Sequence, residues 1–179
     1  MNISIISIGK LQKGDIILST TSDPVSKIVK YTTDSKYSHA RVYVGHGDVI
    51  EAIDPKVRKA KIIELIKGDL YTVVYRYPKL TMLQELSIVK YAARQINKEY
   101  DLSGAIGTSN AGSLPIFAAK IHNMINPEVD LYCSELVAFA YKSAGISLGK
   151  LPSQTTPKDL ATNNNLEYIG HLKTENKPI

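Results

Sequence analysis

The sequence predicts an α+β fold in which a small antiparallel sheet or partial barrel packs against a helix that carries the only cysteine. Three observations lead to this prediction. Residues 38–53 alternate apolar and polar side chains on both sides of a glycine-rich turn, as expected for a β-hairpin. Thr81 begins a capping-box pattern that opens an amphipathic helix. Asp130 caps a further helix, which contains Cys133 and ends at Gly145.

The first half of the chain is predicted to be mostly strands. A turn at Gly14 leads into a buried strand, and turn residues separate the later apolar runs. The predicted strands are residues 16–18, 38–45, 49–53, 61–66 and 71–77. One helix interrupts them near the start, because Asp23 is a good N-cap and Pro24 suits the first helical position.

The second half is predicted to be mostly helical. The helix from Thr81 extends to about Asn97, and the helix from Asp130 to about Ala144. Between them, residues 101–127 are rich in Gly, Ser and Asn, which favours a mobile segment or lid. The last twenty residues are polar and are predicted to be peripheral. We therefore expect one domain with its core over about residues 13–160 and a polar C-terminal tail.

The length of the chain indicates how many domains it has, and its charge indicates which kinds of partner it could bind. A chain of 179 residues fits one domain, and its net charge of +5 and pI near 9.1 favour anionic partners only mildly. The densest basic run is Lys56, Arg58, Lys59 and Lys61. This run is either a solvated strand face or a peripheral contact for anionic lipid headgroups or cell-wall polymer. No aromatic-rich basic stripe or zinc-finger spacing supports nucleic acid, so we expect none as a partner.

A single cysteine excludes an intramolecular disulfide and a multi-cysteine metal site. The first residues lack the basic start and long apolar run of a secretory signal, and no run of apolar residues is long enough to span a membrane. These features predict a soluble, cytoplasmic protein. A mature fragment cloned with an added methionine would have the same pattern.

Cys133 is the candidate nucleophile. It lies at about the third position of its predicted helix, where free N–H groups and positive potential stabilise a thiolate. The same N–H groups can bind the oxyanion that forms when a carbonyl is attacked. Leu136 and Val137 follow at helical spacing, so the thiol is predicted to point inward. The alternative is that Cys133 is simply a small core residue.

His39 is the candidate base. It lies near the start of a predicted strand, on the face shared with Arg41 and Tyr43, whereas Ala40 and Val42 face the other way. We expect the Ala40 face to be the core side and His39 to lie among polar groups. An imidazole that reaches Cys133 can accept its proton and form a thiolate–imidazolium pair. A strand histidine with no catalytic task is the alternative.

Glu51 is the candidate group that orients the imidazole. Its use depends on the register of the hairpin. A two-residue loop pairs Glu51 with Val42 and puts it on the face opposite His39. A three-residue loop or a bulge pairs Glu51 with Arg41 and makes His39 and Glu51 diagonal neighbours, about 7–8 Å apart at the backbone. The competing role for Glu51 is a salt bridge to Arg41.

Other polar residues fit these roles less well. Asp48 and Asp54 are weaker substitutes for Glu51 because they lie at strand ends. The remaining histidines have no metal-ligand spacing, and the glycines follow no phosphate-binding pattern, so we expect no catalytic metal and no cofactor. These histidines are His46, His122 and His171.

Several short motifs follow one another in a specific order. They are Gly14-Asp15-Ile16, Ser38-His39-Ala40 with Tyr43 and Gly45, Val49-Ile50-Glu51-Ala52, Tyr100-Asp101 and Tyr132-Cys133-Ser134-Glu135-Leu136-Val137. Together, over about residues 13–160, they resemble the YiiX/YebB-like proteins, which belong to the circularly permuted NlpC-type branch of the papain-like hydrolases; lecithin:retinol acyltransferase is more distantly similar. The Thr156-Pro157-Lys158-Asp159-Leu160 stretch also fits, and we assign it a structural role only.

The resemblance implies a papain-like fold with Cys133 as nucleophile, His39 as base and Glu51 as the orienting acid. Tyr132 is then expected either to line the substrate site and help bind the oxyanion, or to pack against the sheet. The implied activity is hydrolysis of a peptide or amide bond, for example in a cell-wall-type peptide. An acyltransferase or a lipid ester or thioester hydrolase would use the same triad, and a catalytically silent binding module is a further alternative.

Overall fold

The computed structural model describes residues 4–22, 26–27, 30–31, 34–53, 56–98 and 132–173, with only the backbone of Tyr132. Three predicted features lie outside these residues. They are the helix start at Asp23-Pro24, the segment 101–127 and the cap at Asp130.

Seven strands form one open sheet in the order β1-β7-β6-β2-β3-β4-β5. Among the described strands, β1 and β7 pair in parallel and the other neighbours pair antiparallel. The predicted α+β fold with an antiparallel sheet is therefore confirmed. The strands are β1 Ile5–Ile6, β2 Ile16–Thr20, β3 His39–Gly45, β4 Asp48–Ile53, β5 Lys56–Lys61, β6 Tyr71–Arg76 and β7 Glu167–Leu172.

Two helices, α2 and α3, pack against each other and cover one face of the sheet, and the shorter α1 lies against the other face. The capping box predicted at Thr81 is present, because its side chain accepts from the backbone N–H of Gln84 and the Gln84 side chain accepts from Thr81 N–H. A second capping box joins Thr156 to Asp159. The helices are α1 Ile62–Gly68, α2 Met82–Gln95, α3 Tyr132–Ser143 and α4 Pro157–Ala161, with 3-10 turns at Ile8–Lys10 and Pro152–Gln154.

Both faces of the central strands are buried. Val42 packs in the core under α2 and α3, and Tyr43 packs in a second core against α1. The sequence correctly predicted that Ala40 and Val42 face a core. The opposite face, where His39 was expected among polar groups, carries Arg41 and Glu51, and both are buried: Arg41 is 5% exposed and Glu51 is fully buried.

The strand predicted over residues 61–66 is wrong. Strand β5 ends at Lys61, and residues from Ile62 to Gly68 form helix α1. Ile62 and Ile66 are buried, whereas Glu64 between them is exposed, so burial follows the helical period and not strand alternation, in which Glu64 would share their face.

The C-terminal residues are also more central than predicted. Strand β7 lies between β1 and β6, so the sheet extends beyond the core expected over 13–160. Gly170 makes this arrangement possible: its φ is +154°, and a Cβ there would lie 2.8 Å from the carbonyl oxygen of Ser4. A polar composition concealed β7 because its outward side chains at Glu167 and Tyr168 are exposed.

Candidate active site

A bulged hairpin sets the register of the two strands that carry polar site residues. The turn contains two residues, His46 and Gly47, whose φ angles of 55° and 74° suit the turn types that join twisted strands. The pairing then shifts at Val44, which is the extra residue of a β-bulge. As a result Arg41, and not Val42, lies opposite Glu51. The bulge thus produces the register that a catalytic use of Glu51 requires.

His39 and Glu51 meet on this hairpin. The Nε2 atom of His39 lies 2.8 Å from Oε2 of Glu51. The His39 side chain retains 18% exposure, whereas that of Glu51 is fully buried. Because Nε2 is occupied by the carboxylate, Nδ1 is the ring nitrogen left to face the thiol.

Cys133 is the second residue of α3 and is 7% exposed. Its sulfur receives hydrogen bonds from the backbone N–H groups of Ala40 and Ser134, and it interacts with the imidazole of His39. The start of α3 is anchored nearby, since the Ser134 hydroxyl donates to the carbonyl oxygen of Thr155. The thiol therefore lies at the N-terminal end of β3 among hydrogen-bond donors, and not in a purely apolar core.

The charges of Cys133 and His39 stabilise each other. Burial disfavours the imidazolium, but the thiolate and the hydrogen bonds to Cys133 and Glu51 outweigh it and raise the pKa of His39 to about 9. Burial likewise disfavours the thiolate, but the imidazolium and the N–H donors of Ala40 and Ser134 lower the pKa of the Cys133 thiol. The pair therefore favours a thiolate facing an imidazolium.

Glu51 is held as an anion. Burial alone would raise its pKa, but the hydrogen bonds and charges of His39 and Arg41 keep the pKa of this carboxyl well below its usual range. Arg41 Nε lies 2.8 Å from Oε2, the oxygen that also contacts His39. Arg41 is fixed in turn by Asp69, at 2.9 Å from Nη1, and by the hydroxyl of Ser19 at 2.7 Å. The two contacts considered as alternatives for Glu51, with His39 and with Arg41, therefore occur together.

The other candidates lie elsewhere. Asp48 pairs with Lys59 and Lys61 at the far end of β4. His46 occupies the turn, and His171 lies on β7 among tyrosine rings. The side chain of Tyr132, together with Asp54 and His122, lies outside the described residues.

Sequence reasoning missed two residues that contact this site or support it. Arg58 was treated only as part of a basic run, yet it donates to Oε1 of Glu51. Asp69 was not among the candidates, yet it is 3% exposed and binds Arg41. The basic run could have indicated Arg58. In an antiparallel strand that follows β4, the residue opposite Glu51 comes from this run. Asp69 joins β6 to this site through long-range contacts that no local pattern encodes.

A comparison with known protein families shows to which family the chain belongs. The model of the family described as permuted papain-like amidase enzymes (YaeF/YiiX, C92 family) matches residues 10–109. The protein belongs to this family. It is therefore a cysteine hydrolase of the peptidase or amidase type, and the family implies a peptide or amide substrate. The matched residues include His39 and Glu51, and Cys133 lies beyond them.

The chain is also similar to two proteins of Escherichia coli. The probable lipoprotein peptidase YaeF of Escherichia coli (strain K12) is 24% identical over 195 residues, which cover 91% of this chain and 71% of that protein. The crystal structure of the metalloprotein yiiX from Escherichia coli O157:H7 has the same fold, with a TM-score of 0.66, 22% identity, and coverage of 89% of this C92-family chain and 96% of that one.

Within the described ranges, no group of three or more His, Cys, Asp and Glu side chains is placed to hold a metal ion. None of the helices in the described part of the chain is long and apolar enough to cross a membrane.

Proposed function

We propose that Cys133, His39 and Glu51 act as a catalytic triad that hydrolyses a peptide or amide bond. The observation that carries this proposal is the position of one imidazole between a thiol and a buried carboxylate. A nucleophile, a base and a group that orients the base are the three parts that acyl-transfer chemistry needs. The family membership supports the same type of reaction.

The reaction begins with attack of the Cys133 thiolate on the carbonyl carbon of the scissile amide. The C–N bond breaks as the His39 imidazolium gives its proton to the leaving amine, which leaves a thioester on Cys133. Neutral His39 then takes a proton from water, whose oxygen attacks the thioester carbonyl. The carboxylic acid product departs and loses its proton to solvent, and the thiolate–imidazolium pair is restored.

The N-terminus of α3 supplies the stabilisation that the tetrahedral intermediate needs. N–H groups in the first turn of a helix have no partner within that helix, and they carry the positive end of its dipole. Cys133 lies in this turn, so the oxyanion of an intermediate whose carbonyl carbon is bonded to its sulfur is close to those donors. Glu51 stabilises the imidazolium through the 2.8 Å contact and holds the ring in place.

The charges around the basic run favour an amide or peptide substrate over an anionic lipid. Lys59 and Lys61 pair with Asp48, and Arg58 pairs with Glu51. These cations are therefore partly neutralised within the sheet and are weak candidates for headgroup binding. A catalytically silent module is disfavoured because the sulfur of Cys133 contacts an ionisable base.

The experiment that tests this proposal traps the thioester. An activated acetyl ester, p-nitrophenyl acetate, is added to the wild type and to Cys133→Ala and His39→Ala variants. Since the chain has one cysteine, a hydroxylamine-sensitive acetyl group that intact mass spectrometry finds in the wild type and not in Cys133→Ala is a thioester on Cys133. We expect a rapid burst of p-nitrophenol and this thioester in the wild type, no thioester in Cys133→Ala, and slow acylation in His39→Ala.

Turnover of amides is then measured with a library of peptide p-nitroanilides. Hydrolysis that disappears in Cys133→Ala supports the proposal. A wild-type thiol that does not acylate, in a protein whose fold is intact, would overturn it and favour a binding module. His171→Ala is the matched control, because His171 lies on β7 away from Cys133 and its replacement should leave the burst unchanged.

A further inference from the structure

We propose that Arg58 is a positioning residue, which holds one oxygen of Glu51 so that the other remains directed at His39. This inference rests on the proposed triad. Arg58 belongs to the basic run of β5, which the sequence alone assigned to a solvated face or to an anionic surface.

The strand register places Glu51 between two arginines. Arg41 lies directly opposite Glu51 on β3, and Arg58 lies directly opposite it on β5. Side chains that are opposite each other on neighbouring antiparallel strands share a face of the sheet. The three residues therefore form a row across β3, β4 and β5, with the carboxylate in the middle.

Each arginine binds a different oxygen of the Glu51 carboxylate. Arg41 Nε lies 2.8 Å from Oε2, beside His39 Nε2 at 2.8 Å from the same atom. Arg58 binds Oε1 through Nε at 2.8 Å and through Nη2 at 2.7 Å. Rotation of the carboxyl group would break the contacts of both oxygens, so the guanidinium of Arg58 fixes the orientation in which Oε2 faces the imidazole.

Burial makes this hold necessary. Glu51 is fully buried, and every buried side-chain N or O atom of the described residues has a hydrogen-bond partner. Without Arg58, Oε1 loses both of its contacts to this guanidinium. A buried carboxylate oxygen that has lost its donors turns toward another donor or binds a water molecule that enters the site. Either response moves Oε2 away from His39 and loosens the imidazole that must serve Cys133.

Exposure separates Arg58 from Arg41 as an experimental target. The Arg58 side chain is 48% exposed and that of Arg41 is 6% exposed. Arg58 can therefore be replaced without leaving a sealed cavity, and a small cation can enter the space that its guanidinium vacates. Its neighbour Lys59 provides a matched comparison, because it is a 56% exposed cation on the same strand that pairs with Asp48 at 3.6 Å and not with Glu51.

The test compares Arg58→Ala with Lys59→Ala in the full chain. The burst rate with p-nitrophenyl acetate and kcat and KM for a hydrolysed p-nitroanilide are measured, with and without millimolar guanidinium chloride. We expect Arg58→Ala to lower kcat about tenfold with KM nearly unchanged, since a displaced orienting group affects the reaction step. Added guanidinium should restore much of this loss. Lys59→Ala should keep the wild-type kcat and show no response.

The outcomes distinguish this inference from the triad itself. A wild-type kcat in Arg58→Ala, with Cys133→Ala and His39→Ala inactive, would overturn the role of Arg58 and leave the triad intact. A loss in Arg58→Ala that guanidinium does not reverse, or an equal loss in Lys59→Ala, would also overturn it. Arg58→Lys keeps the charge but cannot form the paired contact, so we expect only partial recovery of kcat.

Discussion

Arg41 and Glu51 face each other directly on strands β3 and β4, and the arginine donates to the same carboxylate oxygen that contacts His39. This oxygen therefore serves a structural and a proposed catalytic partner at once. Arg41 is also bound by Asp69, which lies just before β6. The position of Glu51 therefore depends, through Arg41, on this part of the chain. The orientation of the imidazole thus depends on residues far from Cys133 in sequence.

Replacement of Glu51 by Gln tests the carboxylate without changing its volume. We expect Glu51→Gln to lower kcat/KM by about a hundredfold. The neutral amide cannot stabilise the imidazolium as an anion does, and its NH2 group is a donor where the carboxylate only accepts hydrogen bonds. Steady-state kinetics with an amide substrate measure this effect. Asp48→Asn is the control, since Asp48 lies at the far end of β4 and pairs only with lysines among the described contacts. A Glu51→Gln variant with wild-type kcat/KM would remove Glu51 from the triad.

The thiol of Cys133 should react as a thiolate at neutral pH. Its pKa is lowered by the imidazolium of His39 and by two backbone N–H donors, in spite of burial. We therefore expect iodoacetamide to alkylate Cys133 in the wild type at pH values well below the ordinary thiol range.

The His39→Ala variant separates the two contributions to that reactivity. Loss of the imidazolium should shift the pH dependence of alkylation upward, by about one unit or more. His46→Ala, in the exposed turn, should leave it unchanged. A Cys133 that is inert, or that reacts identically in His39→Ala, would show that the two residues do not form a catalytic pair.

The hairpin shows how far sequence reasoning reaches. Alternation located β3 and β4, and helix position, strand face and hairpin register made Cys133, His39 and Glu51 candidates, to which the resemblance to a known family assigned the same roles. The sequence also stated the condition that Glu51 must satisfy, a register changed by a longer loop or a bulge. It could not show that the turn has two residues and that Val44 supplies the shift, because bulge formation depends on how the whole sheet packs.

Other features were hidden for related reasons. The helix at Ile62 was taken for a strand, since a short apolar run fits both periods and its neighbours in space decide between them. Strand β7 was missed because it pairs with β1 and β6, which lie far away in sequence. The contact of Arg58 with Glu51 was missed for the same reason. Only the pairing of β5 with β4 shows that Arg58, and not Lys59, lies opposite Glu51.

Activity should be confined to a pH window in which the ion pair exists. Below the lowered pKa of Cys133 the thiol is protonated and does not attack. Above about 9, the pKa of His39, the imidazolium has lost the proton that the leaving amine needs. A bell-shaped profile of kcat/KM is expected, with its alkaline limb near pH 9, and both limbs describe the coupled pair.

Glu51 contributes to the alkaline limb of this profile. Its hydrogen bond helps to raise the pKa of His39, so residual activity in Glu51→Gln should decline at lower pH than in the wild type. A limb that does not move in Glu51→Gln would contradict the contact between the two side chains.

Arg41 should be important for stability. It is 5% exposed and neutralises both Asp69 and Glu51, so Arg41→Met leaves two buried carboxylates short of a partner. We expect a loss of about 3–5 kcal/mol in the free energy of unfolding. Denaturant unfolding followed by circular dichroism measures this loss. Arg94→Met, on the exposed side of α2, should change the free energy of unfolding by less than about 0.5 kcal/mol, and an equal effect of the two substitutions would contradict this account.

The bulge residue Val44 allows the effect of the bulge to be separated from the effect of the register. Deletion of Val44 removes only the extra residue, so Arg41 still lies opposite Glu51, now without a bulge. Glu51 then stays on the face of His39, and we expect the deletion variant to keep the burst with p-nitrophenyl acetate. Val44→Ala keeps the residue count and therefore the register, so it should also retain the burst in spite of some lost packing. Loss of the burst in a folded deletion variant, with the burst kept in Val44→Ala, would show that the bulge itself, and not only the register, positions Glu51.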